Sequence, residues 1–502
     1  MKSYIGIDFG ACNLKAAKIF AKGRLQKIKL NKDLAGGNFS PNAILYDKVR
    51  DKIEVKVGKV AKNSFDDDNV VRQIKPKLAQ KNWSKFIANL GRRVDAAEVV
   101  KNIFEWLWRE ITIKFSKDEE LEVAITVPVS FSEVQKNLIR QAAEAAGIPV
   151  KAVLSEPFAA IFSAEDFDDE EQCILIFDFG GSTLDLSLCR IENDDELHVT
   201  ELAAAGLKFG GIDIDNAIFE QIFLTKYADD VKNFIGEDTT GRFKNELMNL
   251  IEKLKEEIFI NDEDESCDFV PDARGNMHEF SLTRDEVHSV LEKLGVKEKI
   301  LALLDALLDD AQLDARDVTQ VKLFGGTSAI DYFQKILTDY FDENIFGDDE
   351  SDPEEIYMGV ADGAARFLFM KNEQPDITIE NVIPYGIGLV SCDKFTRLIK
   401  RNELSGFVTP YKPLLVSELN QNDWRVAVYQ TFSDDFDLPA DNEDIIFLGD
   451  VALDRKLYSA TDAILFKMQP SGSGEIFMTF FEQLNAGDAP SLVEKKTVTV
   501  GG

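Results

Sequence analysis

From residue 1 to about 370, short apolar runs alternate with longer stretches whose apolar residues recur every three or four positions. Runs of the first kind predict strands, stretches of the second predict amphipathic helices, and their alternation predicts α/β architecture. Val123-Ala124-Ile125-Thr126-Val127 is such a strand, stopped by Pro128. The helix after it spans Phe131 to Ala146: Ser132 caps it, Val134, Leu138, Ala142 and Ala145 form its inner stripe, and Gly147 ends it. Arg242 to Phe259 predicts a second helix with Leu247, Leu250, Leu254 and Ile258 inward, and Lys297 to Ala311 a third. After Gln374-Pro375 the pattern becomes short strands (Arg425 to Tyr429, Ile445 to Leu448, Ala463 to Phe466, Glu475 to Met478) separated by Gly, Pro, Asn and Asp. The expected division is therefore residues 1–372, a linker at 373–382, and a small antiparallel β domain at 383–502.

In the N-terminal region a single unit occurs twice. Ile5-Gly6-Ile7-Asp8-Phe9-Gly10 and Ile176-Phe177-Asp178-Phe179-Gly180-Gly181 are apolar strands ending in Asp-Phe-Gly, each followed by a turn of small residues and a second apolar strand. Glycine lets backbone N–H groups approach an oxyanion, and an aspartate at a strand end can hold a hydrated cation. Two such hairpins facing each other would clamp a metal-bound polyphosphate.

Composition narrows the partners. The 502-residue chain is 45% hydrophobic, enough for two or three domains with real cores, and its formal net charge is −33. Acidic runs lie at 166–171, 348–355 and 434–444 and read as solvated loops. A surface this acidic disfavours nucleic acid and anionic lipid. The start carries no signal-like region and no apolar stretch reaches the length of a membrane span, so a cytoplasmic protein is expected. Five cysteines without a Cys-x-x-Cys pair and three histidines give little support to a disulfide scaffold or a zinc site.

Six motifs in order, Gly6 to Gly10, Ile125 to Pro128, Ser155 to Ala160, Asp178 to Thr183, Phe209 to Asp213 and Leu323 to Ser328, resemble those of the heat shock protein 70 family, the DnaK-like chaperones. The resemblance implies an actin-like two-lobed ATPase domain followed by a β-sandwich that holds extended apolar peptides. It implies ATP or ADP with Mg2+, client polypeptides or one dedicated protein partner, and J-domain and nucleotide-exchange co-chaperones. Asp8 and Asp178 match the magnesium-side carboxylates, Glu156 the residue beside the attacking water, Lys75 the γ-phosphate lysine, and Thr183 a hydroxyl at the terminal phosphate. Gly10, Ala11, Cys12 and Asn13 form the first phosphate turn by this likeness, and Gly180, Gly181 and Ser182 the second. Gly206, Gly210 and Gly211 precede a helix starting near Ile212, whose amides are expected to face phosphate. Glu252 and Lys255 match ribose-side positions, while Gly325, Gly326, Thr327 and Ala329 match the loop supporting the nucleoside.

Departures from the family pattern sharpen the expectation. Ala11 and Cys12 replace two threonines, Ala329 replaces the arginine that packs on the base, and Glu256 and Phe259 replace a basic residue and a serine. Ala152 stands where the family carries a basic contact for J-domain partners. The linker Asp376-Ile377-Thr378-Ile379-Glu380-Asn381 lacks the family's acid-flanked leucines and is not expected to offer an apolar edge strand to the ATPase lobes. In the β domain the resemblance rests on Pro384 to Leu389, Ile399 to Asn402 and Val426 to Gln430, placing Leu389, Cys392 and Trp424 near the peptide groove. The sequence ends in a strand, with no helical lid expected. The functional expectation is an ATP-dependent chaperone with slow hydrolysis; the alternative is a nucleotide-sensing scaffold with weak or lost hydrolysis. A sugar or acid kinase on the same fold is disfavoured by the peptide-domain resemblance.

Overall fold

The computed structural model describes residues 2–498 and 500, apart from 31–36, 65, 81, 114, 116–118, 164–170, 194–195, 237–241, 273, 343, 347–352, 375, 392, 415–423, 434, 436–437, 454–462, 472–474 and 484–488. Much of the acidic runs and all of Cys392 therefore lie outside the described residues, and of Trp424 only the backbone is described.

Strands β1 (Lys2–Phe9) and β2 (Asn13–Phe20) form the first hairpin. Helix α1 (Ala96–Thr112) follows, then β3 (Glu120–Val127), helix α2 (Glu133–Ala145), strand β4 (Val150–Ser155) and the short helix α3 (Glu156–Ala160). The duplicated unit supplies β5 (Gln172–Phe179) and β6 (Leu184–Asn193), continued by β7 (Leu197–Leu207). After these come helices α4 (Gly211–Ile218), α5 (Arg242–Ile260), α6 (Arg284–Lys293) and α7 (Val296–Ala311), strand β8 (Gln320–Phe324), helix α8 (Pro353–Glu373) and strand β9 (Ile377–Glu380).

Duplication extends to topology. In one sheet β1 pairs parallel with β3 and antiparallel with β2; in another, β5 pairs parallel with β8 and antiparallel with β6. Helix α8 packs against β1 closely enough that a Cβ on Gly6 would overlap the Ala361 carbonyl, and a Cβ on Gly363 would overlap that of Ala159. Such approaches tolerate only glycine, so α8 ties the two sheets into one body.

Two expectations about this region are corrected. Helix α2 has its predicted cap, with Ser132 and Gln135 forming a capping box, but its buried face is Glu133, Gln135, Ile139, Ala142 and Ala143 rather than the Val134, Leu138, Ala142, Ala145 stripe. The cause is a second neighbour: α2 is covered by the C-terminal region, where Gln430 Oε1 accepts a hydrogen bond from Glu133 N at 2.9 Å and Tyr385 Oη donates to Glu133. The linker, too, behaves otherwise than expected. Ile377–Glu380 joins the second sheet as strand β9, parallel to β7, with Ile377 and Ile379 against the core. Backbone pairing requires no leucines, and the alternation of Ile with Thr and Glu suits a strand buried on one face.

Beyond residue 383, β10 (Gly386–Ser391), β11 (Lys394–Ile399), β12 (Trp424–Thr431) and β13 (Ile446–Leu453) form a four-stranded antiparallel sheet. Strands β14 (Ala463–Pro470), β15 (Ile476–Gln483) and β16 (Ser491–Val498) build most of a second. Ile387, Val428, Leu448, Phe466, Met478 and Phe480 share one core between them. Docking onto the N-terminal region is specific. Asn402, at φ 59°, accepts from Ala204 N (3.1 Å) and donates to Asp310 (2.8 Å), which also pairs with Arg401 (2.7 Å). No described helix is long and apolar enough to cross a membrane.

Candidate nucleotide-binding site

The two hairpins meet turn to turn. In the first, Asp8 lies in register with Lys15 and Phe9 with Leu14, leaving Gly10, Ala11 and Cys12 to turn. In the second, Asp178 opposes Asp185 and Phe179 opposes Leu184, with Gly180 N bonded to Thr183 O at 2.9 Å. Strand alternation buries Phe9 and Phe179 in the cores on either side and turns the aspartates toward the gap. A Cβ on Gly181 would overlap the Cys12 sulfur, so the turns are in contact.

Around the gap is a cavity that encloses about 990 Å³ when the solvent at its open mouth is counted. Asp8, Asp178, Glu156 and Lys75 line it and are all buried. Strand β4 runs into α3 at Ser155, so Glu156 enters at the first turn of that helix, where Pro157 fixes the backbone. Lys75 follows Gln73, which is held at φ 52°, and its ammonium pairs with Glu156 across the cavity wall. Lys15 pairs with Asp8 at 2.8 Å.

Four carboxylates, those of Asp8, Asp178, Asp185 and Glu156, thus face two ammoniums. Burial, then the neighbouring charges of Asp185 and Asp8, pushes Asp178 up to about 7. Burial also lifts Asp185 to about 6, opposed by a hydrogen bond from Thr183. Glu156 is raised well above the carboxylate range by burial, against the pull of Lys75. Burial pushes the Cys12 thiol up to about 12, so a neutral thiol lies beside the turn. Oδ2 of Asp185 is buried without a hydrogen-bond partner. Among the described residues no cluster of three acidic, histidine or cysteine side chains is close enough to ligate a metal directly. An excess of carboxylates over ammoniums, with no direct ligand cluster, suits a dication held through its water shell, as Mg2+ prefers.

The helix-terminus expectation is corrected. Helix α4 does abut the second turn, but its first amides are occupied: Gly211 N donates to Gly180 O (3.1 Å), Ile212 N to Gly181 O (2.8 Å) and Gly210 N to Asp213 (2.8 Å). Gly211 lines the cavity, whereas Gly210 is packed on Ser182 N, where a Cβ would overlap. Gly206 lies within β7, its Cα facing Asp185 Oδ1 and Ser130. Gly206 and Gly210 therefore pack as supports for the second turn.

Further from the hairpins, α5 presents Glu252, Lys255, Glu256, Phe259 and Ile260 to the cavity, the spacing of one helical face. Lys255 pairs with Asp215 at 2.5 Å and reaches Gly211 O at 3.3 Å. Glu252 is held by Lys62 at 2.6 Å. The opposite wall is the turn Gly325, Gly326, Thr327 and Ala329. Gly325 stands at φ 78° against the Phe179 carbonyl, a position closed to any Cβ, and Thr327 Oγ1 donates to Gly180 O at 2.9 Å.

Of the residues expected from sequence, the cavity gathers Asp8, Gly10, Ala11, Cys12, Asn13, Lys75, Glu156, Asp178, Gly180, Gly181, Ser182, Thr183, Gly211, Glu252, Lys255, Gly325, Gly326, Thr327 and Ala329. Sequence reasoning missed Lys15, Asp215 and Tyr357 on its wall, and Asp185 opposite Asp178. Lys15 and Asp185 were within reach, since hairpin register places them opposite the two named aspartates; Asp215 and Tyr357 carry no such signal. In the C-terminal region Leu389 is half-buried beside the core and opposes Thr396 and Val428. Cys392 and the Trp424 side chain, its expected companions, lie outside the described residues.

Comparison with known proteins identifies the family. A family sequence model described as Hsp70 protein matches residues 4–445. A curated relative, the mitochondrial-type heat shock protein 70 of Encephalitozoon cuniculi, is 29% identical over 341 residues, covering 66% of this chain and 53% of the relative. The chain thus spans about half the length of that relative. With the duplicated hairpins, their carboxylates and a family match over most of its length, the chain belongs to the Hsp70 family.

Proposed function

We propose that this protein is a molecular chaperone of the Hsp70 type that binds and slowly hydrolyses a Mg-nucleoside triphosphate, ATP in the family. Residues 1–372 form its nucleotide-binding domain, 373–382 the connection, and 383–502 a β-sandwich that engages unfolded or specific protein clients. The observation that carries the reading is the convergence of Asp8, Asp178, Glu156 and Lys75 on two facing glycine turns. Backbone amides of those turns bind the phosphates, and Lys75 stabilises the charge at the terminal one. Glu156, buried and raised in pKa, orients the attacking water and accepts its proton as the water oxygen bonds to the γ-phosphorus and the bond to the leaving β-phosphate oxygen breaks. Mg2+, held by Asp8 and Asp178 through water, would supply charge neutralisation across the β- and γ-phosphates. Co-chaperones of the J-domain and exchange-factor classes are part of the same proposal.

A scaffold that senses nucleotide without turning it over is the second reading. It is favoured by Cys12, a thiol where the first turn would otherwise offer a hydroxyl. Turnover by the purified full chain with Mg-ATP, set against Asp178→Asn, tests both: hydrolysis lost in the variant supports the enzyme. Binding without turnover in wild type leaves the scaffold, and no nucleotide binding by the folded chain overturns both.

A further inference from the structure

A second cavity adjoins the nucleotide cavity, and Ile212 lines both. One of its walls is the segment that carries Lys77, Trp83 and Lys85; the other is α4 and α5, through Asn216, Lys244 and Asn249. The walls meet where Asn245 Nδ2 donates to Asp67 at 2.6 Å, so the space takes a small ligand and not a polypeptide. We infer that this cavity binds a small polyanion of the phosphate class, at a site separate from the nucleotide.

The argument is one of charge. Among the described residues the cavity is lined by five charged side chains, Asp67, Arg72, Lys77, Lys85 and Lys244, of which four are cations in a chain whose net charge is −33. Its one carboxylate is already engaged, since Asp67 holds Arg72 at 2.5 Å as well as Asn245. Asp66, close by in sequence, is bonded to Asn69 at 2.8 Å. Lys85 reaches backbone only, Asp67 O at 2.5 Å and Val70 O at 2.7 Å. Lys77 and Lys244 have no hydrogen-bond or ion-pair partner among the described residues; their ammoniums stand 5.9 Å from the Trp83 ring and 5.3 Å from the Phe219 ring. In the nucleotide cavity, by contrast, Lys15, Lys75 and Lys255 each meet a carboxylate. Burial, then the charge of Lys85, holds Lys77 below the ordinary lysine range, and burial lowers Lys85 against the pull of Asp67. A bound anion relieves both. Three ammoniums without a carboxylate call for an ion of more than one charge, and phosphate oxygens each accept from a different donor, with lysine acting as a point charge. The amides of Gln73 and Asn249 line the same space and supply further donors.

The test is calorimetric titration of the full chain with inorganic pyrophosphate and, separately, citrate, both in EDTA, using wild type, Lys77→Ala and Lys244→Ala. Neither lysine lines the nucleotide cavity, and Lys244 is exposed, so its truncation leaves the fold intact. The expected result is submillimolar binding of pyrophosphate, tighter than citrate, with each substitution weakening it on the order of tenfold, the worth of one charge-assisted hydrogen bond. No binding of pyrophosphate at millimolar concentration overturns the inference. Affinity unchanged in Lys77→Ala or in Lys244→Ala also overturns it, because the ion then sits elsewhere. Citrate binding as tightly as pyrophosphate overturns the assignment to phosphate chemistry. EDTA withholds the magnesium that the nucleotide reading requires, so the two readings fail separately.

Discussion

Glu156→Gln isolates the carboxylate proposed to activate water. The side chain is buried at the start of α3 and forms its ion pair with Lys75, so glutamine preserves volume and an acceptor toward the lysine while removing the base. Loss of a positioned base and of its charge costs about 3–4 kcal/mol in the transition state, or on the order of 10²–10³-fold in rate. Nucleotide affinity should change by about threefold or less, because the glycine turns, Asp8 and Asp178 are untouched. A second consequence concerns stability. Lys75 is left buried without its anion, and breaking a buried pair costs about 3–5 kcal/mol, so the nucleotide-free variant should melt lower than wild type. Bound phosphate returns an anion to the lysine, so saturating Mg-ATP should raise the melting temperature more in the variant than in wild type. Single-turnover quench experiments measure the first effect, and scanning calorimetry with and without nucleotide measures the second. A variant within about threefold of a hydrolysing wild type would refute the role of Glu156. A nucleotide-induced shift no larger than in wild type would refute the Lys75 half of the argument.

Three further outcomes follow from the geometry. Asp178 and Asp185, raised to about 7 and about 6, hold protons in the folded chain that the unfolded chain has already lost, so apo stability should fall as pH rises from about 4 to about 7. Mg-nucleotide binding at pH 6 should release about one proton, read from titrations in buffers of different ionisation enthalpy; no buffer dependence would count against the carboxylate cluster. Gly210→Ala places a Cβ on Ser182 N and should weaken nucleotide binding about tenfold or more and lower the melting temperature, whereas Gly147→Ala, with φ 83° and open space around it, should cost only about 1 kcal/mol and leave binding alone; equal effects would contradict the packing argument. Asn402→Ala removes an acceptor for Ala204 N and a donor to Asp310, about 1–3 kcal/mol at the docked interface. Amide exchange at Ile377–Glu380 should quicken in that variant, and unchanged protection there would show that docking does not depend on this contact.

By itself the sequence determined the repeated Asp-Phe-Gly hairpins, the helices Arg242–Ile260 and Val296–Ala311 to within a residue or two, and the change to strands after Gln374. These are local: a 3.6-residue stripe, a two-residue alternation or a glycine turn is written in neighbouring positions. Hairpin register is local as well, which is why Lys15 and Asp185 could have been placed from Asp8 and Asp178. Tertiary structure decided the rest. That Lys75, rather than Lys77 or Arg72, reaches Glu156 depends on a backbone turn at Gln73 and on two segments far apart in the chain. That Glu133 is buried depends on Tyr385 and Gln430 arriving from the C-terminal sheets, and that Ile377–Glu380 is a strand depends on the open edge of β7. The α4 amides are free to face phosphate as far as their neighbours in sequence are concerned, yet the carbonyls of Gly180 and Gly181 occupy them. A sequence states which groups can donate or accept, but their partners are fixed only when the chain closes and each buried polar group must be satisfied.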